Sequence, residues 1–223
     1  MAIFDEFATS YDAWYTEKMG MFVDKVETEL AFHMIKMEEG MKILDVGCGT
    51  GNFSVKLAKM GCKVTGIDVS DEMLSIARTK AKDQNLNIDF QKMDVYDLKF
   101  DDNEYDAVIS MAAFEFILEP KKALAELFRV VKLNGQVLVG TISGDSAWGE
   151  LYQSEQVRNS TVFKYADFKT LEDMKGWKPE YLIRTGECLF VPPLADESEF
   201  HLEREKELCG TRKGGYICAL WKK

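Results

Sequence analysis

The spacing of hydrophobic positions changes several times along the chain, and each change predicts an element. Phe4, Phe7, Tyr11 and Trp14 recur at helical spacing with Tyr15 beside them, which predicts an amphipathic helix, or two short ones, over residues 3–18. Gly20 interrupts this pattern. Phe22, Val26, Leu30 and Met34 then share one face of a second helix over residues 21–38. Asp24, Lys25, Glu27 and Glu29 fall mostly on its other face, and Gly40 is a fitting C-cap. From residue 42 short apolar runs alternate with helical stretches. Strands are expected at about 42–47, 63–68, 87–91 and 105–110, and a fifth follows a turn at Leu133-Asn134-Gly135 and reaches Val139. Helices are expected at about 52–60, 71–84 and 120–131, the last opened by Pro120 at its first position. Strand–helix alternation of this kind implies a parallel sheet with helices on both faces.

Beyond residue 142 the pattern weakens. Residues 143–165 hold Trp148, Tyr152 and Phe163 in mixed surroundings, and residues 166–176 look helical. Tyr181 to Val191 and Gly215 to Trp221 read as strands, and the charged stretch Asp196 to Leu208 reads as a surface helix. No linker, low-complexity tract or repeat divides the chain, so a single domain is expected.

Composition narrows the partners. The 223 residues suffice for one α/β domain with a sizeable core. A formal net charge of −10 repels phosphate backbones, so neither nucleic acid nor an anionic membrane is an expected partner. The first residues lack the basic and apolar regions of a signal peptide, and no apolar run approaches the roughly 18 residues of a membrane span. The five cysteines are widely spaced and form no C-x-x-C pair, which indicates neither a zinc site nor a disulfide framework and suits a reducing cytoplasm.

The chemistry gathers at Ile43-Leu44-Asp45-Val46-Gly47-Cys48-Gly49-Thr50-Gly51-Asn52, an apolar run, three alternate glycines and a helix start. Glycine is required where a chain turns with φ > 0 or lies against a ligand. The dinucleotide fingerprint G-x-G-x-x-G/A does not fit, because the third glycine comes one residue early and Asn52 stands in its place. A phosphate-binding P-loop is absent as well. Asp68 ends the second strand 19 residues after Gly49, close to the spacing of a carboxylate that accepts from ribose hydroxyls. Ser70 and Asp71 already supply the cap of the next helix.

The run Asp45-x-Gly47-x-Gly49-x-Gly51 resembles motif I of the Rossmann-like S-adenosylmethionine (SAM) methyltransferases. The whole chain resembles the small enzymes of that class found in ubiquinone and menaquinone biosynthesis, through Phe7-x-x-x-Tyr11-Asp12-x-Trp14-Tyr15, motif I, Asp68, Asp94 and Phe114-Glu115-Phe116. The resemblance implies a mostly parallel seven-stranded sheet with helices on both faces, an antiparallel C-terminal strand and an N-terminal helical lid. Residues 1–40 would be the lid, 41–142 the SAM-binding core and 143–223 the substrate-side half of one domain over 1–223. SAM is the implied cofactor and S-adenosylhomocysteine (SAH) its product. The implied contacts are Tyr11, Tyr15, Asp45, Gly47, Cys48, Gly49, Gly51, Asp68, Val69, Met73, Met93, Asp94, Val95, Met111 and Ala112, with Asp94 accepting from the adenine amine.

Methyl transfer from a sulfonium asks mainly for positioning and exclusion of water, and for a general base only where the acceptor is protonated. Glu115, beside the fourth strand, is the first candidate for that base and Tyr11 the second; Glu115 could equally contact SAM or cap a turn. No Pro-Pro-aromatic motif of the amino-methylating nucleic-acid enzymes follows the fourth strand, and no Pro-Cys pair of the cytosine enzymes occurs. With two histidines and no Asp/His cluster, no metal is expected. The expected acceptor is a small molecule. Two other classes remain, a SAM-binding protein without transferase activity and a nucleotide-dependent oxidoreductase, and Asn52 speaks against the second.

Overall fold

A computed structural model describes residues 3–223, with the side chain of Ser10 left out. At its centre β1 (Lys42–Val46) lies between β2 (Lys63–Asp68) and β4 (Tyr105–Met111), parallel to both. β3 (Asp89–Lys92) extends one edge, and β5 (Val131–Ile142), β7 (Tyr216–Lys222) and β6 (Leu182–Cys188) follow on the other. The order is β3-β2-β1-β4-β5-β7-β6, and β7 runs antiparallel to both of its neighbours. The order reverses between β1 and β4, the switch point where open α/β sheets leave a crevice beyond their strand ends.

Two apolar layers sandwich the sheet because successive strand residues face opposite sides. Ile43 and Ile109 face one layer with α2 (Lys18–Met34) and α3 (Asn52–Lys59), through Phe22, Val26 and Leu57. Leu44, Val108 and Trp221 face the other with α5 (Pro120–Val130), through Leu124 and Leu127. Before α2 comes the short α1 (Ala8–Trp14); α4 (Asp71–Asp83) packs Leu74 and Ala77 on Phe90. The helix α4 begins where Ser70 accepts a hydrogen bond from the Met73 N–H. After β5 come α6 (Ala147–Gln153), α7 (Glu155–Ser160), α8 (Leu171–Lys175) and α9 (Leu202–Leu208). No described helix is long and apolar enough to cross a membrane.

Four expectations are corrected. Gly20 does not break the chain but lies inside α2, where a Cβ would stand 2.0 Å from the Trp14 carbonyl oxygen. Glycine is kept there by the close approach of α1, not by a turn. The expected turn at Asn134-Gly135 is absorbed within β5 as an irregularity: Tyr105 pairs with Val131, but Ala107 already pairs with Gln136. The strand expected to reach Val191 stops at Cys188 because Leu189 takes φ +68. The backbone N–H groups of Leu189, Phe190 and Val191 donate instead to the buried carboxylate of Glu205 at 2.6–3.0 Å. That carboxylate overturns the reading of Asp196–Leu208 as one surface helix: only Leu202–Leu208 is α-helical, and it carries Glu205 inward.

Candidate active site

After β1 the chain turns through Gly47, Gly49 and Gly51 at φ +69, +52 and +78. The N–H groups of Gly47 and Cys48 both donate to the Ile67 carbonyl, at 2.8 and 2.9 Å, which fastens the loop to the end of β2. A Cβ added at Gly49 would meet nothing within 4 Å, so it would project into open space. The Gly49 N–H donates to Asp68 Oδ2 and the Ser70 N–H to Asp68 Oδ1, each at 2.9 Å. Each Asp68 oxygen still has acceptor capacity, the arrangement that suits a vicinal diol. Burial pushes the Asp68 carboxyl upward, opposed by these backbone N–H groups. Across the opening, Asp94 is exposed and its Oδ1 accepts from the Tyr96 N–H at 2.9 Å.

These residues border a cleft of about 250 Å³. Gly47, Gly49, Asp68, Val69, Met73, Met93, Asp94, Val95 and Ala112 are among the residues that line it. Its charged lining groups are Asp68 and Asp94, and no described lysine or arginine lines it. Apolar walls with two separated carboxylates fit a nucleoside that carries no phosphate.

A second cavity of about 340 Å³ adjoins the cleft, and Phe4, Tyr11, Ala112 and Phe116 border both. Ala112, directly after β4, takes φ +52, a backbone position rarely adopted by a residue with a Cβ, and borders both spaces. The larger cavity is walled by aromatic rings, among them Trp14, Tyr15, Trp148, Tyr152 and Phe163. Tyr152 and Phe163 have ring centroids 4.2 Å apart, and Phe4 meets Phe116 edge to face at 4.8 Å. Two carboxylates face this space, Glu115 and Glu27. Glu115 follows β4 in a 3-10 turn, Phe114–Phe116, and its Oε2 accepts from Thr141 Oγ1 at 2.8 Å. Burial pushes it up to about 7. The Glu27 carboxyl is also pushed well above the ordinary range, first by burial and then by Glu115. Burial likewise pushes the Tyr11 hydroxyl up to about 12, which leaves it a hydrogen-bonding group rather than a base at neutral pH.

The N-terminal segment forms part of both cavities and is fastened to the glycine loop. Asp12 Oδ1 accepts from Thr50 Oγ1 at 2.7 Å and from Asn52 Nδ2 at 3.2 Å, and Lys80 Nζ lies 2.9 Å from Asp12 Oδ2. Ser70 Oγ donates to Asp5 at 2.6 Å. Asn52, which stands where a dinucleotide site needs glycine, is thus a partner of α1.

Several expected contacts fall elsewhere. Asp45 is buried behind the loop and accepts from Ser54 Oγ at 2.5 Å, which ties β1 to α3. Cys48 packs beside Leu74 and Phe90, and Gly51 sits at the start of α3. Asp45, Cys48, Gly51 and Met111 line neither cavity, and Tyr15 lines only the larger one. The other expected contacts all line the smaller cleft. Glu27, Trp148 and Tyr152 are cavity residues that pattern reading missed. Val23 and Glu27 stand four apart on α2 and line the same cavity, a spacing that could have shown Glu27 on the border of the apolar face.

A Rossmann-like sheet with its glycine loop and ribose-type carboxylate at the switch point defines a class I nucleoside-cofactor fold. A methyltransferase-domain family model matches residues 44–139. An uncharacterized protein of Methanocaldococcus jannaschii is 31% identical over 174 residues, 78% of this chain and 77% of that one. The ubiquinone biosynthesis O-methyltransferase of Coxiella burnetii is 34% identical over 105 residues, which span 47% of this chain and 45% of that enzyme. Among solved structures, a SAM-dependent methyltransferase of Thermotoga maritima, described as a possible histamine N-methyltransferase, superposes with TM-score 0.77 at 23% identity over 99% of this chain and 98% of its own. The chain belongs to the class I SAM-dependent methyltransferases, and SAM is its cofactor; it spans about half the length of the ubiquinone- and menaquinone-biosynthesis enzymes it matches.

Proposed function

We propose that the chain transfers the SAM methyl group to a small-molecule acceptor held in the larger cavity. The observation that carries this reading is the junction of the two spaces: the cofactor-type cleft opens onto an aromatic cavity across Phe4, Tyr11, Ala112 and Phe116. SAM supplies an electrophilic methyl on a sulfonium, open to in-line attack. Gly47 and Gly49 would leave room for its methionine part, Asp68 would accept from the ribose hydroxyls and Asp94 from the adenine amine. Val69, Met73, Met93 and Val95 would enclose the base. The aromatic walls would exclude water and orient the acceptor, which shifts the cost of alignment from the reaction to binding. Glu115 would hold a proton on the acceptor side; its burial, which pushes the carboxyl up to about 7, supports this role. Asp45 would act at one remove, by holding the loop through Ser54.

Incubating the protein with SAM and a cell metabolite extract tests this. The expected result is release of SAH with a metabolite gaining the mass of one methyl group. Binding of SAM without turnover on any extract would favour the SAM-binding alternative. Salt-sensitive, submicromolar binding to tRNA would contradict a small-molecule acceptor.

A further inference from the structure

The larger cavity combines two features that point to the charge of its occupant. Among the described residues its only charged lining groups are the carboxylates of Glu27 and Glu115, and no lysine, arginine or histidine lines it. Among the described residues no side chain or backbone N–H donates to the Glu27 carboxylate, whereas Glu115 has Thr141. The other feature is the wall of rings. Trp14, Tyr15, Trp148 and Tyr152 all contribute to it, and among the described residues no lysine–ring contact involves these rings. Aromatic faces carry negative potential and attract cations, by more when the site is dry. Lys56 and Lys169 act on Glu27 and Glu115 from outside the cavity and neither lines it, so the two carboxylates face an apolar space with no cation inside it, which is costly, and Glu115 raises the proton affinity of Glu27. An anionic acceptor would add to that cost, and a neutral one would leave it in place. A cation removes it.

We infer that the methyl acceptor is a small organic amine, bound as its ammonium between Glu27 and the aromatic wall, and that Glu27 sets this specificity. The inference rests on the larger cavity being the acceptor site. About 340 Å³ lies near the lower end of small-ligand cavities, so the amine is of monoamine size. The ammonium first loses a proton to the Glu115 carboxylate, which frees the nitrogen lone pair. The nitrogen then forms the N–CH3 bond as the S–CH3 bond breaks, and that electron pair stays on the sulfur of the departing SAH. The product is the methylammonium ion, and the proton on Glu115 passes to solvent. Glu27 keeps its charge beside the nitrogen before and after transfer.

The test uses the full chain saturated with SAH and titrated calorimetrically with 2-phenylethylamine, 2-phenylethanol and 3-phenylpropionate, which share a ring and differ in charge. The amine should bind at least tenfold more tightly than the alcohol, and the acid more weakly still. Glu27→Gln should abolish the preference for the amine while leaving SAH affinity within twofold, which also reports that the variant is folded. Equal or tighter binding of the alcohol or acid overturns the inference, as does binding of none of the three. An unchanged preference in Glu27→Gln overturns the role of Glu27. Methyl transfer to a neutral phenol in place of an amine would sink the amine while sparing the small-molecule reading; failure of SAM turnover on every acceptor would sink the latter.

Discussion

Glu115 is held by Thr141 at 2.8 Å and is buried against a cavity, where Lys169 offsets its burial only in part. Its carboxyl lies at about 7, above the ordinary 4.5. Between those two values the folded protein retains a proton that the unfolded chain has released, so stability falls as pH rises through that window and is level above it. The gap corresponds to about 3 kcal/mol. Asp45, also raised by burial to about 7, adds a slope of the same sign. Urea unfolding between pH 4 and 8 should therefore show Glu115→Gln gaining stability over the parent at high pH, by up to about 3 kcal/mol, because glutamine still accepts from Thr141. Equal slopes in the two proteins would contradict a buried, raised Glu115. At this scale Asp68 was legible, since a polar residue ending an apolar strand at a set distance from a glycine loop has little else to do. Glu27 was not. In the sequence it belongs to the polar face of α2, and its place beside the cavity depends on residues distant in sequence, among them Tyr11, Glu115 and Tyr152.

Among the elements, α1 is the one whose role departs most from its size. A seven-residue helix has little stability of its own. This one is held by Asp12 on Thr50, Asn52 and Lys80, and by the contact of Phe4 with Phe116. It supplies Tyr11 to both cavities and Trp14 to the larger one. Its anchors lie on the glycine loop, on α4 and on the turn after β4, and none lies within a strand. Deleting residues 1–16, which leaves Glu17 to begin α2, should give a folded protein that binds SAH at least tenfold more weakly and has lost most turnover. Circular dichroism, calorimetry and a SAH-release assay on that protein separate the cases: full affinity and turnover would mean the segment is no lid, and outright unfolding would mean permanent packing. The aromatic stripe at helical spacing made this element legible. The short helices α6 and α7, at seven and six residues, offer too few turns for a period to show, so Trp148 and Tyr152 stand in mixed surroundings with no face to assign them to.

For the whole molecule, the strand–helix alternation up to Ile142 specified the sheet, because parallel strands need crossovers and right-handed crossovers leave few orders to choose from. The C-terminal third was less legible because its strands are stopped by tertiary partners, as Glu205 stops β6, and not by residues next to them in sequence. What the sheet accomplishes is to set two spaces side by side at its switch point, which the proposed function assigns to the cofactor and to the acceptor. The placement of the cofactor in the smaller space is the premise on which the rest depends. Titration of SAH into the parent protein, Gly49→Val and Asp68→Ala by calorimetry tests it most directly. The parent should bind one SAH per chain. Gly49→Val, which fills the open cleft at a strained φ, should bind none detectably. Asp68→Ala removes charge-assisted bonds of about 1.5–3 kcal/mol each and should weaken binding at least tenfold. Parent-like SAH affinity in both variants would contradict this site.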